Sequence, residues 1–209
     1  MFVQVIKGKV NDASAFRAAL ETWSRELAPG ATGWLGSTTG VTDDGTLIAV
    51  ARFDTVENAR RNSDRPEQGQ WWAETERLFE GEVTFEDSTE VDDNVLGDPD
   101  TAGFVQVMQG RVSDPARARA LMGHTPANFE QIRPDILALL RLEHSDGRWT
   151  SVAYFSSEAE ARQHESQEPP PEFAEMMEEL GSISVGETTF YDLRQVWFHS
   201  PRSQDRANG

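Results

Sequence analysis

Trp71 and Trp72, adjacent in the stretch Asn62-Ser63-Asp64-Arg65-Pro66-Glu67-Gln68-Gly69-Gln70-Trp71-Trp72, are the residues best suited to hold an aromatic molecule. Flat rings stack on indole, bury a large area there and leave the indole N–H as a polar handle. The steps from Trp71 to Thr75 and Leu78, and from Trp72 to Phe79, are also those of one helix face, so packed core is the plainer assignment. Two adjacent indoles cannot both face a sheet squarely, which leaves one of them for a cavity wall. Gln4 and Gln106 interrupt otherwise apolar strand patterns at equivalent places in the chain. A buried amide needs partners; it would either orient a ligand carbonyl or, the reading we favour, make a polar contact across the axis relating the two equivalent segments.

Asn62 and His164 are a second equivalent pair, and only the histidine is a base near neutral pH. A surface histidine is the plainer account of His164. Glu160, Glu165 and Glu168 flank it without the spacing of a metal cluster, and no metal site is read. The chain has no cysteine, which removes disulfides, thiolate nucleophiles and Cys-based metal sites together. The residues identify no catalytic group.

The charge balance limits the partners. Nineteen Lys and Arg against 36 Asp and Glu leave a formal charge of −17, and such a surface repels phosphate backbones, so nucleic acid and anionic membrane are poor partners. Apolar residues make up 37% of the 209 residues, six of them Trp, enough for packed cores. No apolar run approaches the roughly 18 residues of a membrane span. The amino terminus, MFVQVIKGKV, enters a strand pattern at once without a signal-peptide layout, and the protein is expected to be soluble and cytoplasmic.

The elements that position these residues come from an internal repeat. Phe2-Val3-Gln4-Val5-Ile6-Lys7-Gly8-Lys9-Val10 recurs as Phe104-Val105-Gln106-Val107-Met108-Gln109-Gly110-Arg111-Val112, a shift of 102 positions. The same shift pairs Asp12 with Asp114, Leu35 with Leu137, Asp44-Gly45 with Asp146-Gly147, Phe53 with Phe155 and Leu78 with Leu180. After three inserted residues a shift of 105 pairs Phe85 with Phe190 and Asp87 with Asp192. The chain therefore divides into repeat 1 (residues 1–91), an acidic linker (92–102), repeat 2 (103–198) and a polar, flexible tail (199–209).

Each repeat reads βαββαβ. A Val- and aromatic-rich strand ends at a helix cap, Asp12 or Asp114 with Pro115 just inside. The helix that follows carries an apolar stripe, Phe16, Ala19, Leu20, Trp23 and Leu27, matched by Ala118, Leu121, Met122, Thr125, Phe129 and Ile132. Two strands, Trp34 to Val41 and Thr46 to Phe53, flank Asp44-Gly45, a pairing suited to a tight hairpin; Ile136 to Glu143 and Trp149 to Phe155 repeat this. A second helix, broken at Pro66 or at Pro169-Pro170-Pro171, precedes a last strand, Glu82 to Val91 or Glu187 to Phe198. The expected fold is α+β, two ferredoxin-like modules each with an antiparallel sheet and both helices on one face. Runs such as Ile136-Leu137-Ala138-Leu139-Leu140 want burial on both faces, so the two sheets are expected to pack together as an internal pseudo-dimer.

With this element order, the Gln-bearing first strand, the DG hairpin and the Asn62–Trp72 stretch, the chain resembles the dimeric α/β-barrel superfamily, in particular its antibiotic-biosynthesis-monooxygenase-like branch. The resemblance covers both repeats and is one of pattern. It implies a small organic ligand held between sheet and helices and, as in some members, oxygenation of an aromatic or polyketide-like substrate with no metal or flavin. It leaves a non-catalytic binding or accessory protein as the alternative. Haem-degrading relatives place a His late in the second helix and an Asn on the first strand. Here repeat 1 has no His, Gln4 and Gln106 stand at the strand position and His164 lies early in its helix, leaving haem binding through His164 as a third expectation. Repeat 1, with Ser37 and Thr39 among Gly33, Gly36 and Gly40, leaves more room than repeat 2 with Leu139 and Arg141. Any cavity is expected there, with Trp34 on its wall. Further self-assembly of the pseudo-dimer is left open.

Overall fold

A computed structural model describes residues 1–123 and 129–201. The chain divides into two compact units, Met1–Val91 together with the chain from Leu193 onward, and Asp92–Asp192. Each holds one five-stranded sheet.

In unit 1, β1 (Phe2–Val10), β2 (Trp34–Val41), β3 (Thr46–Phe53), β4 (Phe79–Ser88) and β10 (Gln195–His199) are ordered β10-β2-β3-β1-β4, with antiparallel ladders throughout. The helices are α1 (Ala13–Glu26), α2 (Val56–Ser63) and α3 (Pro66–Thr75). Asp12 accepts from the Ser14 and Ala15 amides and Thr55 from the Asn58 amide, so α1 and α2 start where side chains satisfy their unpaired N–H groups. The second helix is divided at Pro66, whose ring excludes the preceding residue from helical backbone. Gly45 takes φ +81° in the β2–β3 turn, a conformation that costs glycine little.

Unit 2 repeats the plan with β5 (Glu90–Val95), β6 (Phe104–Arg111), β7 (Ile136–Glu143), β8 (Arg148–Phe155) and β9 (Thr189–Leu193), ordered β5-β7-β8-β6-β9. Its helices are α4 (Pro115–Met122), α5 (Phe129–Ile132), α6 (Glu158–Glu165) and α7 (Pro171–Ile183). Thr125, expected on the first helix of this repeat, lies outside the described residues, as do residues 202–209 of the expected tail. Two tandem ferredoxin-like modules are therefore present, each extended by a fifth strand.

The fifth strands correct the reading of the ends of the repeats. The expected last strand, Glu82 to Val91, stops at Ser88; after Thr89 the chain forms β5, an edge strand of the other sheet. Residues 92–102 are thus not a linker throughout. The acidic run Asp92-Asp93, read as a solvated connection, belongs to an edge strand, where charge discourages pairing with further chains. Likewise the strand expected over 187–198 is two: β9 ends at Leu193, and past Arg194 the chain enters β10. His199, placed in a flexible tail by sequence, pairs in β10 with Ser37 across the ladder, and Ser200 is buried.

Candidate functional site

The face of the unit 1 sheet that carries Phe2, Gln4 and Ile6 lies beneath the helices, and the cavity sits between them. Side chains alternate along a strand, so directly paired residues share a face. The ladders define three transverse rows on this face. Phe2 pairs with Phe53 and Phe53 with Trp34. Asp87 pairs with Gln4, Gln4 with Ala51, Ala51 with Ser37 and Ser37 with His199. Ile6 pairs with Ala49, Ala49 with Thr39 and Thr39 with Trp197.

Trp34 and Ser37, three apart, would point to opposite faces of a regular strand. The register shifts between Trp34 and Gly36, a bulge that returns Trp34 to the helix-covered face, and the Trp34 indole N–H donates to Ser37 Oγ at 3.0 Å. Gly36, at φ +139°, supplies the backbone conformation.

The middle row floors a cavity of about 220 Å³, with Ala49 and Ala51 leaving the space and Trp23, Trp34 and Trp71 forming walls. Each indole N–H is satisfied within the protein: Trp23 donates to Gln68 Oε1 at 2.6 Å, Trp34 to Ser37 and Trp71 to the Ala19 carbonyl at 3.0 Å. The walls therefore offer ring surface. Trp23 and Trp34 meet edge to face at 5.0 Å, a favoured aromatic geometry that braces both. Asn62 is buried at the α2–α3 corner, where its oxygen accepts from Arg65 Nη1 at 2.9 Å and its Nδ2 lies 3.4 Å from Gln68 Oε1. It lines the cavity with its amide committed to that corner.

Polar groups come from the floor. Gln4 Nε2 donates to Asp87 Oδ1 at 2.8 Å, leaving its amide oxygen for another donor. Ser37 accepts from Trp34, and its own O–H is not used in that bond. Thr39 is 0% exposed, and its Oγ1 has no hydrogen-bond partner among the described residues. His199 brings an imidazole to one end of the row and Asp87 a carboxylate to the other.

Of the residues singled out by sequence, Gln4, Trp34, Ser37, Asn62 and Trp71 line this one cavity, and Trp72, Gln106 and His164 do not. Trp72 packs on Phe79, in a core cluster other than that of Trp71, and on the exposed Phe85, with ring centroids at 6.1 and 5.3 Å. Gln106 donates to Asp192 Oδ1 at 2.8 Å inside unit 2. The amide N–H groups expected to serve a contact between the repeats are each used within their own unit, on Asp87 and on Asp192. His164 lies in unit 2 with Nε2 3.9 Å from the buried Asp135. Among the described residues no group of three or more His, Asp or Glu is placed to hold a metal.

Sequence reasoning missed Asp87 and His199. Asp87 left a signal, since it recurs as Asp192 in the register that carries Gln4 to Gln106. His199 left none, because its place depends on the chain changing sheets at Arg194.

At the equivalent floor of unit 2, Gln106 and Leu139 flank Ala153. Leu139 replaces the serine, and Arg162 reaches Asp192 while its guanidinium lies 5.2 Å from the Phe104 ring centroid. Glu165, by hydrogen bonding, raises the Arg162 pKa above its ordinary value, so this cation is held charged.

No protein-family model and no curated protein matches this sequence. Solved structures do. A "putative monooxygenase" from Lactobacillus acidophilus aligns over 95% of this chain and 96% of its own, with a TM-score of 0.70 and 13% identity. One of the same description from Fusobacterium nucleatum aligns over 96% and 94%, with a TM-score of 0.73 and 13% identity. An anthrone oxidase-like protein aligns over 95% and 93%, with a TM-score of 0.66 and 11% identity. At these identities the likeness is one of fold, and it extends over both modules.

Proposed function

We propose that unit 1 binds a small aromatic molecule in the cavity between its sheet and helices, and that the protein is a cofactor-independent monooxygenase acting on that molecule. One observation carries this reading: three indoles with internally satisfied N–H groups wall a cavity floored by the polar row Asp87-Gln4-Ser37-His199. Apolar walls with a few convergent polar groups are the usual form of a small-molecule site. The volume suits one or two fused rings, given that a cavity of about 150 Å³ accepts benzene.

The names of the structural neighbours support the chemistry. Oxidation of an activated ring methylene by dioxygen is balanced without a metal, flavin or reductant: CH2 and O2 give C=O and H2O, one oxygen atom going to each product. The protein's task is to take a proton from the activated C–H, so that the resulting anion supplies electrons to O2. His199 and Asp87 are the cavity groups able to accept that proton, while the indole walls hold the substrate in place.

Oxygen uptake measured with a panel of hydroxylated naphthalenes, whose keto tautomers carry the activated ring methylene, tests this. Uptake above the uncatalysed rate that falls at least tenfold in His199→Asn or Asp87→Asn, with ligand binding kept, is expected. Binding without any uptake would leave an accessory binding protein of the same fold. Absence of binding sinks the reading altogether.

A further inference from the structure

Thr39 is shut off from solvent, stands on the cavity face of β2 beside Ala49, and carries a hydroxyl that bonds to nothing among the described residues. A buried polar atom is almost always paired, because burying it unpaired forfeits its bonds to water. Valine has nearly the same shape and would fill this position without that cost. The neighbours within its row, Ile6, Ala49 and Trp197, are apolar and offer no alternative partner by their side chains, except the indole N–H of Trp197, which is a donor only.

We infer that Thr39 is the specificity-determining residue of the cavity, its hydroxyl pairing with an oxygen carried on the inner edge of the aromatic ligand. This rests on the binding reading above and adds an orientation: the polar edge of the ring lies toward Thr39. Repeat 2 carries Arg141 at the matched position, and its guanidinium is paired with Asp92. The hydroxyl is therefore a property of repeat 1, where the cavity is, and not of the module. A site built to hydrogen-bond a ligand oxygen discriminates strongly against the same ring without it, since the protein group is then left unpaired.

The test compares 2-naphthol with 2-methylnaphthalene, which differ by hydroxyl against methyl, using calorimetric titration of the full-length protein. Wild type is expected to prefer 2-naphthol by about tenfold or more. Thr39→Val should bring the two affinities to within about twofold by weakening 2-naphthol, leaving 2-methylnaphthalene as tightly bound or tighter; Thr39→Ser should keep the preference. Thermal melts of each variant show that it is folded. Equal affinity of wild type for both probes overturns the inference while the cavity reading stands. So does a preference that survives in Thr39→Val. Binding of neither probe by wild type overturns the cavity reading and this inference with it.

Discussion

The indole N–H of Trp34 donates to Ser37 Oγ at 3.0 Å, although the two are three residues apart on one strand. The β-bulge at Gly36 makes this possible, and the bond places a small polar side chain where repeat 2 has Leu139. The contrast identifies Ser37 as the position that keeps the cavity open.

Ser37→Leu should therefore fill the cavity. Binding of aromatic probes is expected to fall at least tenfold, while the melting temperature stays within a few degrees of wild type, because filling empty space offsets the lost bond from the buried Trp34 N–H to Ser37. A variant that melts normally and binds as wild type does would remove the cavity from the argument.

Thr39→Val removes a buried hydroxyl that has no partner among the described residues. The ligand-free variant should be more stable by about 1 kcal/mol, which for a chain of this size is a rise of roughly 2–4 °C in melting temperature. A fall of that size would mean that the hydroxyl is paired in the folded protein.

Gly33 has φ +75°, and a Cβ there would stand 2.2 Å from Asp54 Oδ1 and 2.4 Å from Asn58 Nδ2. Gly33→Ala should destabilise unit 1 by about 1–3 kcal/mol through backbone strain and displacement of that pair. Chemical denaturation measures it, and an unchanged midpoint would show that the loop relaxes freely.

Asp44 receives hydrogen bonds from Lys9, at 2.6 Å, and from Thr42 and Thr46 in the β2–β3 hairpin. The Lys9 ammonium first, then the Thr42 hydroxyl, hold its carboxyl well below the usual range. A depressed folded pKa means that the charged form stabilises the fold above the unfolded carboxylate pKa and that this is lost as pH falls toward the folded value. Asp44→Asn should cost less than about 1 kcal/mol at pH 7, because the pair is largely solvent-exposed. The difference from wild type should shrink below about pH 4. A constant offset from pH 7 to pH 2 would be evidence against the charge.

Much of the module was legible because local rules and tertiary demands agree. Asp12 and Thr55 cap helices, Asp44-Gly45 and Asp146-Gly147 turn hairpins, and Pro66 divides the second helix. Each effect is confined to a few bonds. The site was legible in part for a different reason. Trp34, Ser37 and Trp71 differ from Ile136, Leu139 and Phe173 at matched positions, and a duplicated chain displays such differences openly. Trp71 and Trp72 could not be separated by periodicity, since adjacent positions on a helix both border the apolar stripe; only packing sends one to the cavity and the other to Phe79 and Phe85.

The sequence by itself determined the duplication, the element order and the half of the chain whose floor residues are small and polar, because periodicity, caps and side-chain volume act over short distances or repeat at a fixed interval. Tertiary structure alone decided which sheet each terminal strand joins. Gln195–His199 carries a strand-forming pattern and the acidic Glu90–Val95 does not, yet the backbone groups of either can be satisfied at any open sheet edge, so the choice lies in long-range pairing. That choice seats His199 opposite Ser37, and with it completes the row Asp87-Gln4-Ala51-Ser37-His199 beneath the three indoles.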